Sequence, residues 1–218
     1  MSLTLHGVAL SPFVRKVRVV LAEKQLAYQM KTVVPYMTRE EYAEINPLRR
    51  VPALQDGDTT LADSAVIAHY LDAKYPVHPL MPEAIDGRAR CEWLEKFGDY
   101  ELAQNATFAL FYQTLVAPTL GKQTDHAVVE KALNHTLPPL LDYLEQQLTD
   151  REWLVDNRFG LADIAIASQL INMGYAGYPL DDSRWPQLAS HLNRCCARPS
   201  FAELLPEEQQ VLGKLKAR

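Results

Sequence analysis

Three short segments carry side chains that could bind or react. The first is SPFVRKV, residues 11–17, a serine and a proline followed by apolar residues interleaved with cations. Ser11 before Pro12 marks a helix start. The serine oxygen accepts from an orphan N–H of the first turn, and proline at the first helical position gives up a donor that has no partner there. Whether that hydroxyl also carries chemistry is not decided by the local pattern. The second segment is Asp63-Ser64, a pair that caps the helix following it. The third is Arg49-Arg50-Val51-Pro52, two guanidiniums next to an X-Pro bond. Taken alone, the proline is a strand initiator and the arginines are solvated charges.

The other reactive residue types point nowhere. The cysteines are Cys91, Cys195 and Cys196, an odd count without a C-x-x-C pair, which argues against a disulfide framework and against a zinc site. Cys195 and Cys196 lie in a late helical stretch with no partner histidine in the pattern and read as structural. The six histidines show no ligand spacing. Net charge is −5, so there is no general attraction to nucleic acid or to an anionic membrane. The start, MSLTLHGVALSPF, lacks the basic segment and long apolar run of a signal peptide, and no stretch reaches the ~18 apolar residues of a membrane span. The expectation is a reduced, cytoplasmic, metal-free protein. Its 218 residues, 48% hydrophobic and 22% charged, can bury the core of one large domain or two small ones.

The positioning elements follow from periodicity. LTLHGV (3–8) alternates and predicts a strand. The helix opened by Ser11 sets Phe13, Val14, Val17, Val20 and Leu21 on one stripe, with Arg15, Lys16, Arg18, Glu23 and Lys24 expected to face away. YQMKTVV (28–34) predicts a second strand, and a strand–helix–strand unit of this length makes the two strands parallel. Residues 35–47 are irregular, with at most a short helix. VPALQ (51–55) and TTLA (59–62) flank Asp56-Gly57, a strong hairpin signal. A helix from about 65 to 75 follows. The order, βαβ, a link, then ββα, is that of a small thioredoxin-like domain, expected over residues 1–78. KYPVHPLMPEA (74–84) holds three prolines and cannot be helix interior, so residues 79–86 are expected to link to a second domain.

Residues 87–218 read as all-helical. The stretch 88–115 is mostly helix with Gly98 as a possible kink. Residues 126–148 keep helical periodicity, though Pro138-Pro139 should bend or break it. GLADIAIASQLINMGYAGY (160–178) is apolar nearly all round and predicts the buried central helix. Two further helices, over 185–199 and about 202–216, close the bundle.

These features together resemble the cytosolic glutathione S-transferase superfamily, in its bacterial serine-type form. The resemblance rests on SPFVRKVRVVLAEK (11–24), NPLRRVPAL (46–54), LADSAVIAHYL (61–71) and FGLADIAIA (159–167), which span most of the chain in the family's order. One departure is Gly160, where the family usually has Ser or Thr as helix cap. Glycine costs only a few tenths of a kcal/mol there, and Asp163 can still accept donors of that first turn.

The resemblance implies a glutathione site, with glutathione as co-substrate and no metal. Ser64, by hydroxyl and backbone N–H at a helix N-terminus, would take the γ-glutamyl carboxylate, and Asp63 would meet the ammonium. Val51-Pro52 would be cis, with the Val51 backbone paired to the cysteinyl residue like an added strand. Arg50, or equally Arg49, would hold the glycyl carboxylate; Thr38 and Arg39 are looser candidates. Ser11 would donate to the thiolate, favoured by the helix dipole. A hydrophobic acceptor site between domains would draw on Phe13, Phe108, Phe111 and Tyr112, although such a stripe also suits a core. The reaction implied is attack of the glutathione thiolate on a small electrophile, as in detoxification, by a homodimer that engages neither nucleic acid nor membrane. Disulfide exchange or dehydroascorbate reduction would want a cysteine in place of Ser11. A zeta-type isomerase would show Ser-Ser-Cys where Leu10-Ser11-Pro12 stands. A non-catalytic protein using the same fold for protein contacts is the alternative of a different class.

Overall fold

The computed structural model describes residues 3–35 and 40–217. The chain divides into two compact units, one ending at Met81 and one beginning at Pro82.

The first unit runs β1 (Leu3–Gly7), α1 (Pro12–Glu23), β2 (Tyr28–Thr32), a 3₁₀ turn (Glu40–Glu44), β3 (Ala53–Asp56), β4 (Thr59–Ala62) and α2 (Ser64–Lys74). The sheet order is β2-β1-β3-β4. β1 and β2 are parallel, as a helical crossover requires, and β3 is antiparallel to both its neighbours. Gly57 takes φ +60°, which the two-residue turn between β3 and β4 needs. A Cβ on Gly7 would collide with the Val14 side chain, so glycine lets α1 close down on β1.

α1 buries Val14, Val17, Val20 and Leu21 as its apolar stripe demands, but the expected outer face is wrong. Arg15, Lys16, Arg18 and Lys24 are buried as well. Their heads are held by partners that a helical-wheel pattern cannot show. Lys24 Nζ lies 2.5 Å from Asp72 Oδ1 and also donates to the carbonyls of Tyr75 and Val77 at 2.9 and 3.3 Å. Arg18 Nε donates to the Tyr28 hydroxyl at 2.9 Å. Asp72 accepts in addition from the N–H groups of Leu80 and Met81. The Pro-rich stretch is thus pinned to α2 by the half-buried Asp72 carboxylate, and its pairing with the buried Lys24 ammonium makes that charge tolerable away from water.

The second unit is helical. α3 (Ile85–Lys96) continues without a break as π-helix over Phe97–Leu102 and Gln104–Val116, ending in the short α4 (Ala117–Thr119). α5 (His126–Lys131) passes through a π-helical turn (Ala132–Thr136) into α6 (Leu137–Gln147). Then come α7 (Leu161–Tyr175), α8 (Pro186–Ala197), α9 (Pro199–Ala202) and α10 (Leu205–Lys216). α7 is the core of this unit, with every residue from Leu161 to Met173 buried. Gly98 falls in the π-helical stretch that follows α3, and a Cβ there would sit 3.1 Å from Ile166 Cδ1 and 3.3 Å from Ala165, so glycine serves the close approach of α7. The chain stays helical through Pro138 and Pro139 in the first turn of α6, but α-helical geometry gives way to a π-helical turn over Ala132–Thr136, just before them.

Gly160 caps α7, and Asp163 supplies what glycine lacks. Its Oδ2 accepts from Gly160 N–H at 2.9 Å, and its Oδ1 from Leu154 N–H at 3.0 Å and from His191 Nε2 at 2.8 Å. Among the described residues no helix is long and apolar enough to cross a membrane.

Candidate functional site

The register of the sheet brings the three chemically interesting turns to one end of it. His6 of β1 lies opposite Ala53 of β3, and Ala53 lies opposite Ala62 of β4. The turn leaving β1 therefore emerges beside the segment entering β3 and the turn leaving β4, at strand spacings of about 4.8 Å. Those segments carry Ser11, Arg50-Val51-Pro52 and Asp63-Ser64.

Ser11 is the N-cap of α1, with φ −76° and ψ 123°. Its Oγ accepts from Val14 N–H at 3.4 Å, longer than the usual 2.7–3.2 Å range for such a bond. The side chain is half-buried, and accepting that weak bond leaves the hydroxyl proton available to another group. Cap and donor are therefore compatible roles.

Ahead of β3, the peptide bond Val51-Pro52 is cis. The Arg50 carbonyl receives two donors, Asn46 Nδ2 at 2.7 Å and the Tyr42 hydroxyl at 3.0 Å. No backbone partner takes up the N–H or the C=O of Val51 among the described residues. Arg49 and Arg50 are both exposed, and Arg49 has a left-handed backbone with φ +52°. Thr38 and Arg39 lie outside the described residues.

At the third turn, Asp63 has φ 75° and ψ 128°, a conformation that costs a non-glycine residue about 1–3 kcal/mol. Its own side chain helps to hold it: Oδ1 accepts from Ala65 N–H at 2.9 Å and Val66 N–H at 3.2 Å. Asp63 is exposed, while Ser64, the first residue of α2, is buried. Strain of this kind persists where the surroundings impose it, and it gathers at binding sites.

The aromatic candidates separate by burial. Phe13 on α1 is half-buried. In the second unit Phe111 belongs to the core, whereas Phe108 is 39% exposed and Tyr112 is half-buried with Lys122 Nζ 3.4 Å from its hydroxyl. The expectation for the late cysteines needs one correction. Cys195 does have a histidine, His191, one helical turn earlier, with Sγ 3.7 Å from Nε2. Cysteine, histidine and Asp163 then form a line that looks catalytic, but all three are buried. Burial holds the Cys195 thiol well above its ordinary range and pushes Cys91 up to about 12. Neither is a thiolate near neutral pH, so neither is a nucleophile. A native thiol titration at pH 7.5 is expected to detect Cys196 at most, and all three cysteines once denaturant is added; fast reaction of a second thiol in the folded protein would refute this.

Tyr42 is the residue the sequence reading missed. Its signal was the spacing Tyr42, Asn46, Arg50, four residues apart, which has no meaning until the loop is seen to fold back. Among the described residues no group of His, Cys, Asp and Glu is gathered that could hold a metal ion.

Comparison with known proteins bears on the family and the fold. Residues 5–82 match the glutathione S-transferase N-terminal domain and residues 105–199 the C-terminal domain. A probable maleylacetoacetate isomerase of Vibrio cholerae is 31% identical, over 96% of this chain and 98% of its own length. The chain belongs to the glutathione S-transferase superfamily. Within it, a glutathione transferase homologue of Drosophila mojavensis, solved with bound glutathione, superposes with a TM-score of 0.86 at 29% identity, covering 99% of this chain and 97% of the other. A stringent starvation protein A homologue of Pasteurella multocida is 28% identical over 88% of this chain and 85% of its own. The glutathione transferase fold, a thioredoxin-like unit followed by a helical one, is thus the fold of this chain.

Proposed function

We propose that this glutathione S-transferase relative binds glutathione at the end of its sheet and adds its thiolate to a small, hydrophobic electrophile. The observation that carries the reading is the strand register, which gathers the Ser11, Val51 and Asp63-Ser64 turns side by side. Each turn supplies what one part of the tripeptide lacks. Ser64, with its hydroxyl and its N–H at the start of α2, meets the γ-glutamyl carboxylate. The second oxygen of Asp63 meets the ammonium while the first caps the helix. The Val51 N–H and C=O pair with the cysteinyl backbone, and Arg50 reaches the glycyl carboxylate. Ser11 donates to the sulfur. Within the first unit, Phe13 is the apolar group offered to the acceptor. The protein works as a cytoplasmic homodimer, without a metal.

Calorimetry tests the reading directly. Binding of glutathione at millimolar concentration or below is expected. Asp63→Ala and Ser64→Ala should each weaken it by roughly 10- to 100-fold, the loss of a charge-assisted contact worth about 1.5–3 kcal/mol. Light scattering on the same sample checks the homodimer. The second reading, a non-catalytic interaction protein, draws support from the likeness to the stringent starvation protein A homologue. Absence of any glutathione binding would favour it.

A further inference from the structure

We infer that Tyr42 and Asn46 are positioning residues that aim the Val51 N–H at the cysteinyl part of glutathione by gripping the carbonyl of Arg50. The inference rests on the glutathione reading above and deepens it. The Arg50 C=O and the Val51 N–H belong to one planar peptide unit and point in opposite directions. A grip on the oxygen therefore sets the direction of the N–H. The grip is double: Asn46 Nδ2 at 2.7 Å and the Tyr42 hydroxyl at 3.0 Å use both acceptor positions of the oxygen.

The two gripping residues are themselves fixed. The Tyr42 carbonyl accepts from the Asn46 N–H at 2.9 Å, which sets the side chains one turn apart. Asn46 closes the loop twice more, its Oδ1 accepting from Leu48 N–H at 3.0 Å and its carbonyl from Arg49 N–H at 2.8 Å. The Tyr42 ring leans on His6 of β1, centroids 6.0 Å apart, and His6 Nε2 is 2.8 Å from Gln55 Oε1 of β3. Tyr42 and Asn46 are buried, whereas Pro47, Leu48, Arg49 and Arg50 between them and Val51 are all exposed. An exposed loop otherwise free to move is thus ordered before a ligand arrives, so binding does not bear that ordering cost. Burial pushes the Tyr42 hydroxyl up to about 12, so it stays a donor at every pH used for assays.

The test uses Tyr42→Phe, which keeps the ring, and Asn46→Asp, which keeps the acceptor for Leu48 but removes the donor to Arg50. S-methylglutathione is the calorimetric probe, since it carries the tripeptide backbone without a titrating thiol. Each variant should bind it roughly three- to tenfold more weakly than the parent. In turnover, the KM for glutathione should rise by a similar factor with kcat at saturation held, and for Tyr42→Phe the factor should be the same from pH 6 to pH 9. A merely structural role would lower the unfolding midpoint and leave the affinity of the folded protein unchanged, and that result overturns the inference. So does a loss confined to kcat. A parent chain that binds neither glutathione nor S-methylglutathione overturns the glutathione reading itself, a different outcome from a parent that binds beside variants that bind equally well.

Discussion

Ser11→Ala lowers kcat/KM with glutathione and an electrophile strongly at pH 6.5 and hardly at pH 9. A free thiol titrates near ~8.5, and thiols at helix N-termini with donors fall by one to several units. With the bound thiol depressed by about two units, roughly half of it is thiolate at pH 6.5. If the hydroxyl supplies one or both of those units, and the dipole of α1 the rest, its removal cuts the thiolate fraction at pH 6.5 by roughly 5- to 50-fold. At pH 9 the thiol ionises almost unaided, and the loss shrinks to less than about 1.5-fold. Affinity for S-methylglutathione should hardly change, because the tripeptide is gripped by the other two turns. The cost in stability should stay below about 1 kcal/mol, since the cap bond to Val14 is already long at 3.4 Å. Thiolate absorbance titrated in both proteins with glutathione bound gives the comparison. Equal pKa values and equal rates would leave Ser11 a cap and nothing more.

The largest effect on stability is expected at Asp163. Its carboxylate takes three donors from three parts of the second unit: Leu154 before the helix, Gly160 at its cap and His191 on α8. Asp163 and His191 are buried, and α7 is the element around which α3 and α8 pack. Asp163→Ala leaves those donors in a place water does not reach, and removing one partner of a buried charged network costs about 3–5 kcal/mol. Because Gly160 brings no side chain to its own cap, nothing nearby replaces the carboxylate. Asp163→Asn keeps one oxygen for Leu154 and His191 and presents an amide to Gly160, so it should fall between the parent and the alanine variant. Urea unfolding with unchanged slope and a midpoint lowered in the order Asn, then Ala, is the expected result. A loss under about 1 kcal/mol for Asp163→Ala would show that water or rearrangement rescues the donors.

The elements whose evidence is local were legible without coordinates. The alternation of residues 3–8, the Ser11-Pro12 helix start, the Asp56-Gly57 hairpin and the all-round apolar run of α7 each depend on spacing and turn chemistry within a few residues, and the described elements match them closely. The family resemblance drew on the same short segments, so the fold followed from them. The residues themselves made the candidate site legible only as separate pieces, and the family resemblance alone joined them as one expected glutathione site. The physical reason these turns lie side by side is the pairing of His6 with Ala53 and of Ala53 with Ala62, a long-range register that no local pattern contains. The same reason explains the misreadings. Arg15, Lys16, Arg18 and Lys24 looked solvated because a helical wheel records polarity and not partners; Asp72 and Tyr28, which hold two of them, come from other elements. That Gly98 also makes room for α7 was not legible either, because Ile166 and Ala165, which lie against it, come from another helix. His191 stood four residues from Cys195 in plain view, yet only burial decided that the pair is inert. Tyr42 was invisible as a site residue because its role is to touch a backbone oxygen eight residues away, and the fold of the intervening loop alone brings the two together.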